Sequence, residues 1–238
     1  MGDRYLRGGD LTGYLLGGWF KDGWGQDKAA ARLLQGQETY RFYSLTGELG
    51  AAPGTPPAPF GEEGNPCHDT LAASFTTSPV SAGGLVAVGA PFNAIPLVPR
   101  LSRTKQQVYK NAAAAILKPK GIARSNLEGD GSEEVLVSAT HYAKGLSDRV
   151  SPGDYSLVFL RRVAGGKMVT HLIEGDFFPK GLEFGAPGEH WVGAVLDLNG
   201  DGVMEIVLFG SYCEGDWVAA YRLEGDKIIK ILSTGCGV

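Results

Sequence analysis

Short alternating runs of apolar and polar residues dominate the chain and predict strands rather than helices. Positions 39–45 alternate as a strand with one buried face does, and the apolar run at 84–89 is typical of a strand buried on both faces. Near the amino terminus, apolar segments at 14–16 and 19–20 are flanked by glycines, and a turn signal follows at 21–24. The pattern predicts a mainly β protein.

Two segments carry a helical pattern. Asp27 is placed to cap a short helix over 28–34, and residues 104–118 are the longest helical candidate. In the second segment four small or aliphatic residues recur at helical spacing, and Pro119 and Gly121 end the pattern. The residues of this apolar face are Val108, Ala112, Ala115 and Ile116.

The stretch at 50–66 is rich in proline and glycine. Proline is unfavourable in a helix interior and in a central strand, so we expect a long surface loop here. We therefore treat 1–121 as an irregular, β-rich amino-terminal half that contains this loop and the longer helix.

The carboxy-terminal half, 122–238, contains an internal repeat. Residues 126–137 align without a gap with 197–208, and the segment at 153–159 recurs at 215–221. Each unit predicts four short strands: one before an acidic loop, one directly after it, and a hairpin. The expected fold is mainly β, with propeller-like or sandwich-like repeats of short antiparallel strands, one or two inserted helices, and both halves in one compact unit.

The two acidic loops carry oxygen-bearing groups at alternating positions. Such groups converge on one point of a tight loop, and a glycine at the sixth position (Gly202, Gly131) permits the sharp turn of a calcium loop. Hard oxygen donors without His or Cys favour Ca²⁺ over zinc or iron. The candidate ligands are Asp197, Asn199, Asp201, Val203 (through its carbonyl) and Glu205 in the second loop, and Asn126, Glu128, Asp130, Ser132 (through its carbonyl) and Glu134 in the first.

An EF-hand is excluded, because its twelfth position would need a glutamate where the chain has Leu208 and Val137, and because the flanks are strand-like. The D-x-N-x-D-G-x-x-E pattern between strands instead resembles the calcium loop of FG-GAP/VCBS repeats, which form the blades of integrin-type β-propellers. The resemblance covers the carboxy-terminal half only. It implies a structural calcium whose ligands include Asp197, Asn199, Asp201 and Glu205.

A metal-free interpretation of the loops stays open, since Asp, Asn and Gly are also the ordinary residues of tight turns. The loops hold seven of the 26 acidic residues and no Lys or Arg. Without a cation these charges would repel one another, which favours metal in the second loop. The first loop begins with Asn126 and has Glu128 at its third position, so it is the weaker match.

Charge and hydropathy limit the possible partners. A formal net charge of −4 does not suit a nucleic-acid binder, and no apolar run approaches the roughly 18 residues that a membrane span needs. We expect no signal peptide in the sequence as it stands, because Asp3 and Asp10 interrupt the region where one would lie.

The common catalytic motifs are absent from the sequence. Cys67, His68 and Asp69 are adjacent, but neighbours in an extended segment point to opposite sides, so they rarely form a nucleophile and base. We predict no catalytic and no organic-cofactor residues. The favoured function is a calcium-stabilised, non-enzymatic binding or scaffold module for an unknown protein or glycan ligand. The alternative is a hydrolase acting on a polymeric substrate, with its site in the amino-terminal half.

Three cysteines allow at most one internal disulfide. Cys213 and Cys236 could meet across a hairpin, whereas Cys67 could pin the carboxy-terminal tail from the proline-rich loop. We slightly favour Cys67–Cys236. A disulfide implies an oxidising compartment, so a periplasmic or secreted location is expected.

Overall fold

The computed structural model describes residues 6–7, 10–20, 23–36, 38–75, 86–89, 95–96 and 119–237. The helix predicted at 104–118 lies outside these residues. The described elements are β1 (Leu6–Arg7), β2 (Asp10–Tyr14), β3 (Gly17–Phe20), β4 (Gly23–Gln26), α1 (Asp27–Ala31), β5 (Thr39–Ser44), β6 (Gly47–Pro53), β7 (Ala58–Pro59), β8 (Leu71–Phe75), β9 (Val86–Gly89), β10 (Ile95–Pro96), β11 (Pro119–Ser125), β12 (Glu134–His141), β13 (Asp154–Ala164), β14 (Lys167–Phe178), β15 (Glu189–Asp197), β16 (Glu205–Tyr212), β17 (Gly215–Glu224) and β18 (Lys227–Gly237).

The two sequence repeats form two antiparallel sheets with the same strand order. The first repeat sheet is β11-β12-β13-β14, and the second repeat sheet is β15-β16-β17-β18 with β10 added beside β15. In both, the acidic loop joins the first two strands of the repeat and a hairpin forms the last two. The predicted four-strand unit is confirmed.

The second repeat sheet is the middle layer of the described structure. On one face Ile206 and Leu208 pack with Leu136 and Leu160 of the first repeat sheet. The opposite face packs against amino-terminal residues, among them Tyr43 of β5. Burial on both faces explains why β15 and β16 are almost continuously apolar rather than alternating.

The amino-terminal half forms smaller sheets, with orders β1-β2-β8-β7, β6-β5-β9 and β3-β4. The loop predicted at 50–66 is partly wrong, because β6 continues to Pro53 and places Ala52 in a buried cluster. Pro53 and Pro59 lie in β6 and β7, the edge strands of their sheets, where a missing N–H is tolerated. Most side chains between Pro53 and Pro66 are exposed, as expected for the rest of the segment.

The helix after Asp27 is shorter than predicted. It ends at Ala31, and Gln26 rather than Asp27 is the N-cap residue, since Asp27 already lies in the first turn. Gly36 follows with a φ of +83°, and a Cβ there would collide with Pro56, so this position requires glycine.

The mainly β class is confirmed. None of the described sheets closes into a barrel or ring, so the propeller-like arrangement stays a prediction. In the described part of the chain, no helix is long and apolar enough to cross a membrane.

Candidate functional site

The two acidic loops lie side by side at one end of the paired repeat sheets. The backbone N–H of Met204 donates to the carbonyl of Leu127 at 2.9 Å, which links the second loop to the first. A Cβ on Gly129 would come within 3.2 Å of the Gly202 carbonyl. The fold therefore brings together two loops that are 71 positions apart in sequence, counted from 126 to 197.

In the second loop the acidic side chains accept hydrogen bonds from backbone N–H groups of the same loop. Asp197 accepts the N–H groups of Gly200 at 2.7 Å and Gly202 at 2.9 Å, one on each carboxylate oxygen. Asp201 accepts the N–H of Val203 at 2.9 Å. Gly200 and Gly202 have φ values of +80° and +85°, which other residues rarely adopt. Asn199 donates its side-chain N–H to Asp201 at 3.0 Å.

Each loop ends in a fully buried glutamate. Glu205 is 0% exposed and its Oε2 accepts the N–H of Leu198 at 2.8 Å. Glu134 is 2% exposed and its Oε2 accepts the equivalent N–H of Leu127 at 2.7 Å. Burial raises the pKa of Glu205 to about 7 and also raises the pKa of Glu134.

An arginine from the neighbouring strand lies against each loop. Arg222 is paired directly with Glu205 across β16 and β17. Its guanidinium donates to Asp201 at 2.6 Å and lies 3.5 Å from Oε1 of Glu205. Although burial opposes it, the N–H of Val203 and this guanidinium lower the pKa of Asp201.

Arg162 has the corresponding place in the first repeat. It contacts Glu128 at 2.5 Å and Asp226 at 2.5 Å, and donates to the Gly225 carbonyl at 2.8 Å. The loops themselves hold no Lys or Arg, as the sequence shows, but β13 and β17 supply one arginine each. These guanidinium groups offset part of the charge repulsion in the loops.

The oxygen-bearing groups of the loops are of the kind that binds calcium, but their side chains do not converge into a preformed site. Among the described residues no three His, Cys, Asp or Glu side chains converge as a metal group. Within the two acidic loops, two buried side-chain oxygens nevertheless have no hydrogen-bond partner in the described structure: Oε1 of Glu205 and Oδ1 of Asn126. In the first loop Glu128 is held by Arg162, and Asp130 accepts the N–H of Ser132 at 2.7 Å. The second loop therefore remains the better candidate, and calcium there has to compete with Arg222.

A disulfide joins the two halves of the protein. Cys67 and Cys236 are bonded, with their Cα atoms 5.0 Å apart, while Cys213 is free and exposed. This confirms the favoured pairing over Cys213–Cys236. His68 contacts the Gly61 carbonyl at 3.4 Å and Asp69 is almost fully exposed, so the adjacent Cys67, His68 and Asp69 provide no thiol nucleophile.

A second site, a cavity between the repeat sheets, was not predicted from the sequence. Its volume is about 400 Å³, and its wall contains an indole, two charged side chains, an imidazole and two hydroxyl residues. We call it the inter-sheet cavity. The residues that line it are Glu174, His190, Trp217, Lys230, Ser233, Thr234 and Gly235.

The floor of the inter-sheet cavity is a row of directly paired residues across the second repeat sheet. His190 pairs with Gly210, Gly210 with Trp217, and Trp217 with Gly235, so all four lie on the same face. A Cβ at Gly210 or Gly235 would overlap Trp217. The two glycines therefore make the space in which the indole lies.

Charged groups from both sheets meet above this row. Glu174 accepts from Lys230 at 2.9 Å and from the hydroxyl of Tyr221. Burial alone would raise the pKa of Glu174, but these contacts lower it. Burial and the hydrogen bond to Glu174 raise the pKa of Tyr221. Lys230 also lies 5.8 Å from the Trp217 ring centre.

Asp176 and His190 form a second polar pair at the same place. Oδ2 of Asp176 lies 3.3 Å from Nε2 of His190 and accepts the N–H of Gly188 at 2.8 Å. Burial would raise the pKa of Asp176, but these two contacts lower it. His190 is 7% exposed, and its Nδ1 is buried without a hydrogen-bond partner among the described residues.

Comparisons of the chain with protein-family models, with curated proteins and with solved structures found no match. The likeness of the loops to FG-GAP/VCBS repeats therefore stays a prediction from the residues alone. Function has to be inferred from the two sites themselves.

Proposed function

We propose that this protein is a non-enzymatic binding or scaffold module that calcium stabilises at the second acidic loop. The observation that carries the proposal is the buried Oε1 of Glu205, which accepts no hydrogen bond within the described structure and lies near the carboxylates of Asp197 and Asp201, with the Arg222 guanidinium 3.5 Å away. A buried carboxylate oxygen without a hydrogen bond is costly, and a cation bound closer than this guanidinium would offset more of the cost.

A cation at this loop would connect two strands, because Asp197 ends β15 and Glu205 begins β16. The loop also contacts the first repeat through Met204. Calcium here would therefore stiffen the end of the sheet pair, which is a structural role and not a catalytic one.

Calcium is expected to raise the melting temperature of the protein relative to the same protein in chelator. Binding to the folded state alone stabilises it by about 2.7 kcal/mol at a hundredfold excess over the dissociation constant. Asp201→Asn should abolish most of this effect because it removes a charged ligand, whereas the matched Asp130→Asn in the first loop should leave most of it. Differential scanning fluorimetry measures both, and identical curves with calcium and with chelator would refute the metal.

Arg222→Gln gives an independent test of competition. Its guanidinium lies on Asp201 and near Glu205, so removing it should free both carboxylates and raise calcium affinity. The same variant should be less stable than wild type in chelator, because the acidic charges then face one another. Calcium titration by calorimetry gives the affinity, and an affinity that falls would contradict the proposed site.

We also propose a periplasmic or secreted location and blades of an FG-GAP-like, propeller-like repeat. The Cys67–Cys236 disulfide supports the location, since such bonds persist in oxidising compartments. The two equivalent four-strand sheets, stacked face to face, support the repeat. Non-reducing peptide mapping of the natural protein tests the first point, because free thiols at both positions would argue for a reducing compartment.

A hydrolase acting on a polymeric substrate is the second candidate. The Asp176–His190 pair favours it, because a carboxylate that orients an imidazole is a common general-base arrangement. This pair lies in the carboxy-terminal half, whereas the sequence suggested the other half. A hydrolase panel on wild type, Asp201→Ala and His190→Gln separates the candidates, since turnover that His190→Gln abolishes would replace the binding-module proposal.

A further inference from the structure

The inter-sheet cavity combines three features that a ligand site needs. It is an open depression, and its volume of about 400 Å³ lies within the range of small-molecule pockets, which run from about 300 to 1,000 Å³. It offers an aromatic surface at Trp217, and it has a few convergent polar groups. Gly210 and Gly235 flank the indole of Trp217, and only glycine leaves room for the indole at these two positions.

The charges of the cavity wall nearly cancel. Glu174 and Lys230 form an ion pair at 2.9 Å, so neither is an isolated charge that would call for an oppositely charged ligand. Each still has hydrogen-bonding capacity, since an ammonium has three donors and a carboxylate two acceptor oxygens. Such a wall suits an uncharged ligand with many hydroxyl groups.

His190 adds a polar group to the cavity wall. Its Nε2 faces Asp176, and when that nitrogen carries the proton, Nδ1 is an acceptor. This Nδ1 is buried and has no hydrogen-bond partner within the described structure, and the ring forms part of the cavity wall. A ligand hydroxyl would satisfy Nδ1 if the ring turned this atom towards the cavity.

We propose that the inter-sheet cavity binds a neutral saccharide, with one sugar face against Trp217 and sugar hydroxyls bonded to His190, Glu174 and Lys230. The inference rests on the proposed binding-module function and names the class of its ligand. A sugar presents apolar C–H groups on one face and hydroxyls around its edge, which matches an indole surrounded by polar groups.

The test is a titration of the full-length protein, in calcium, with neutral oligosaccharides of glucose, galactose, mannose and N-acetylglucosamine, followed by tryptophan fluorescence and calorimetry. We expect saturable binding of at least one of them with a dissociation constant of about 1 mM or tighter. Trp217→Phe and Lys230→Gln should each weaken it about tenfold or more. Lys230 is about half exposed, so its variant should fold even if the Trp217 variant does not.

Trp191→Phe is the matched control, because Trp191 lies beside His190 in β15 but on the opposite face, stacked on Phe209. Unchanged affinity in this variant supports the cavity. Binding that survives both Trp217→Phe and Lys230→Gln overturns the inference. If no oligosaccharide binds while calcium still raises the melting temperature, the ligand class is wrong and the stabilised module stands.

Discussion

Replacing Cys67 and Cys236 together by serine is expected to lower the free energy of unfolding by about 5 kcal/mol. The bond closes a loop with a sequence separation of 169 residues, and in the chain-entropy model a longer loop restricts the unfolded chain more. The loss is comparable to the whole stability of many small proteins. Urea unfolding of the double variant beside wild type measures it.

Reduction of the wild-type protein should produce the same loss, because it breaks the same bond without changing a side chain. Cys213→Ser is the control, since Cys213 is exposed and free, and its stability should match wild type in the absence of reductant. A loss in Cys213→Ser as large as in the double variant would contradict the assigned pairing. The hydroxyl of Thr70 donates to the carbonyl of Gly235 at 2.7 Å, so the tail keeps one contact to this region after the bond is broken.

The strand order of the carboxy-terminal half could be predicted because its information is local. Each acidic loop is followed by an apolar run, and each hairpin turns at a glycine or aspartate between two strand-like segments. The loops recur at an offset of 71 and the hairpins at an offset of 62, so the four strands recur in the same order. The sequence did not specify which sheet lies in the middle, because burial on both faces depends on the elements that pack against the sheet from either side.

The strands of the amino-terminal half were harder to predict from the sequence, because proline occurs both in loops and in edge strands. At 50–66 the prolines favoured a surface loop, yet β6 runs through Ala52 to Pro53. An edge strand tolerates the missing N–H, so the same residues fit both descriptions. Only the neighbouring strand β5 decides between them.

The arginines beside the loops and the inter-sheet cavity both depend on contacts between residues that are distant in sequence. An arginine in each repeat is visible in the sequence, but only the register of β16 and β17 places Arg222 opposite Glu205. Glu174 and Lys230 are 56 positions apart and belong to different sheets. His190 likewise meets its partner Asp176, 14 positions away, only because the two repeat sheets pack together.

Glu205 should make the stability of the calcium-free protein fall as the pH rises. Burial raises the pKa of Glu205 from 4.5 to about 7, so the folded protein holds this proton more tightly than the unfolded chain does. Below about pH 4.5 Glu205 is protonated in both states, so its ionisation does not lower the stability. Above about pH 7 it is ionised in both states, and the loss of stability reaches its full value, here called the penalty. At 1.36 kcal/mol per pKa unit the penalty is about 3 kcal/mol.

Glu205→Gln isolates this contribution. The nearby Asp197, Asp201 and Arg222 are kept, so the difference in unfolding free energy between wild type and variant should fall by about 3 kcal/mol between about pH 4 and pH 8 in chelator. Urea unfolding at several pH values gives this difference. For Glu134→Gln, the difference in unfolding free energy between wild type and variant should also fall as the pH rises, since burial also raises the pKa of Glu134.

Calcium connects this titration to the proposed metal site. A carboxylate must be ionised to bind calcium, so calcium affinity should rise as the pH increases through about 7, and binding near that pH should release protons. Calorimetry in buffers of different ionisation enthalpy counts these protons. In Glu205→Gln the release should disappear, and a calcium affinity in wild type that does not change between pH 6 and pH 8 would separate Glu205 from the metal even if calcium binds elsewhere on the loop.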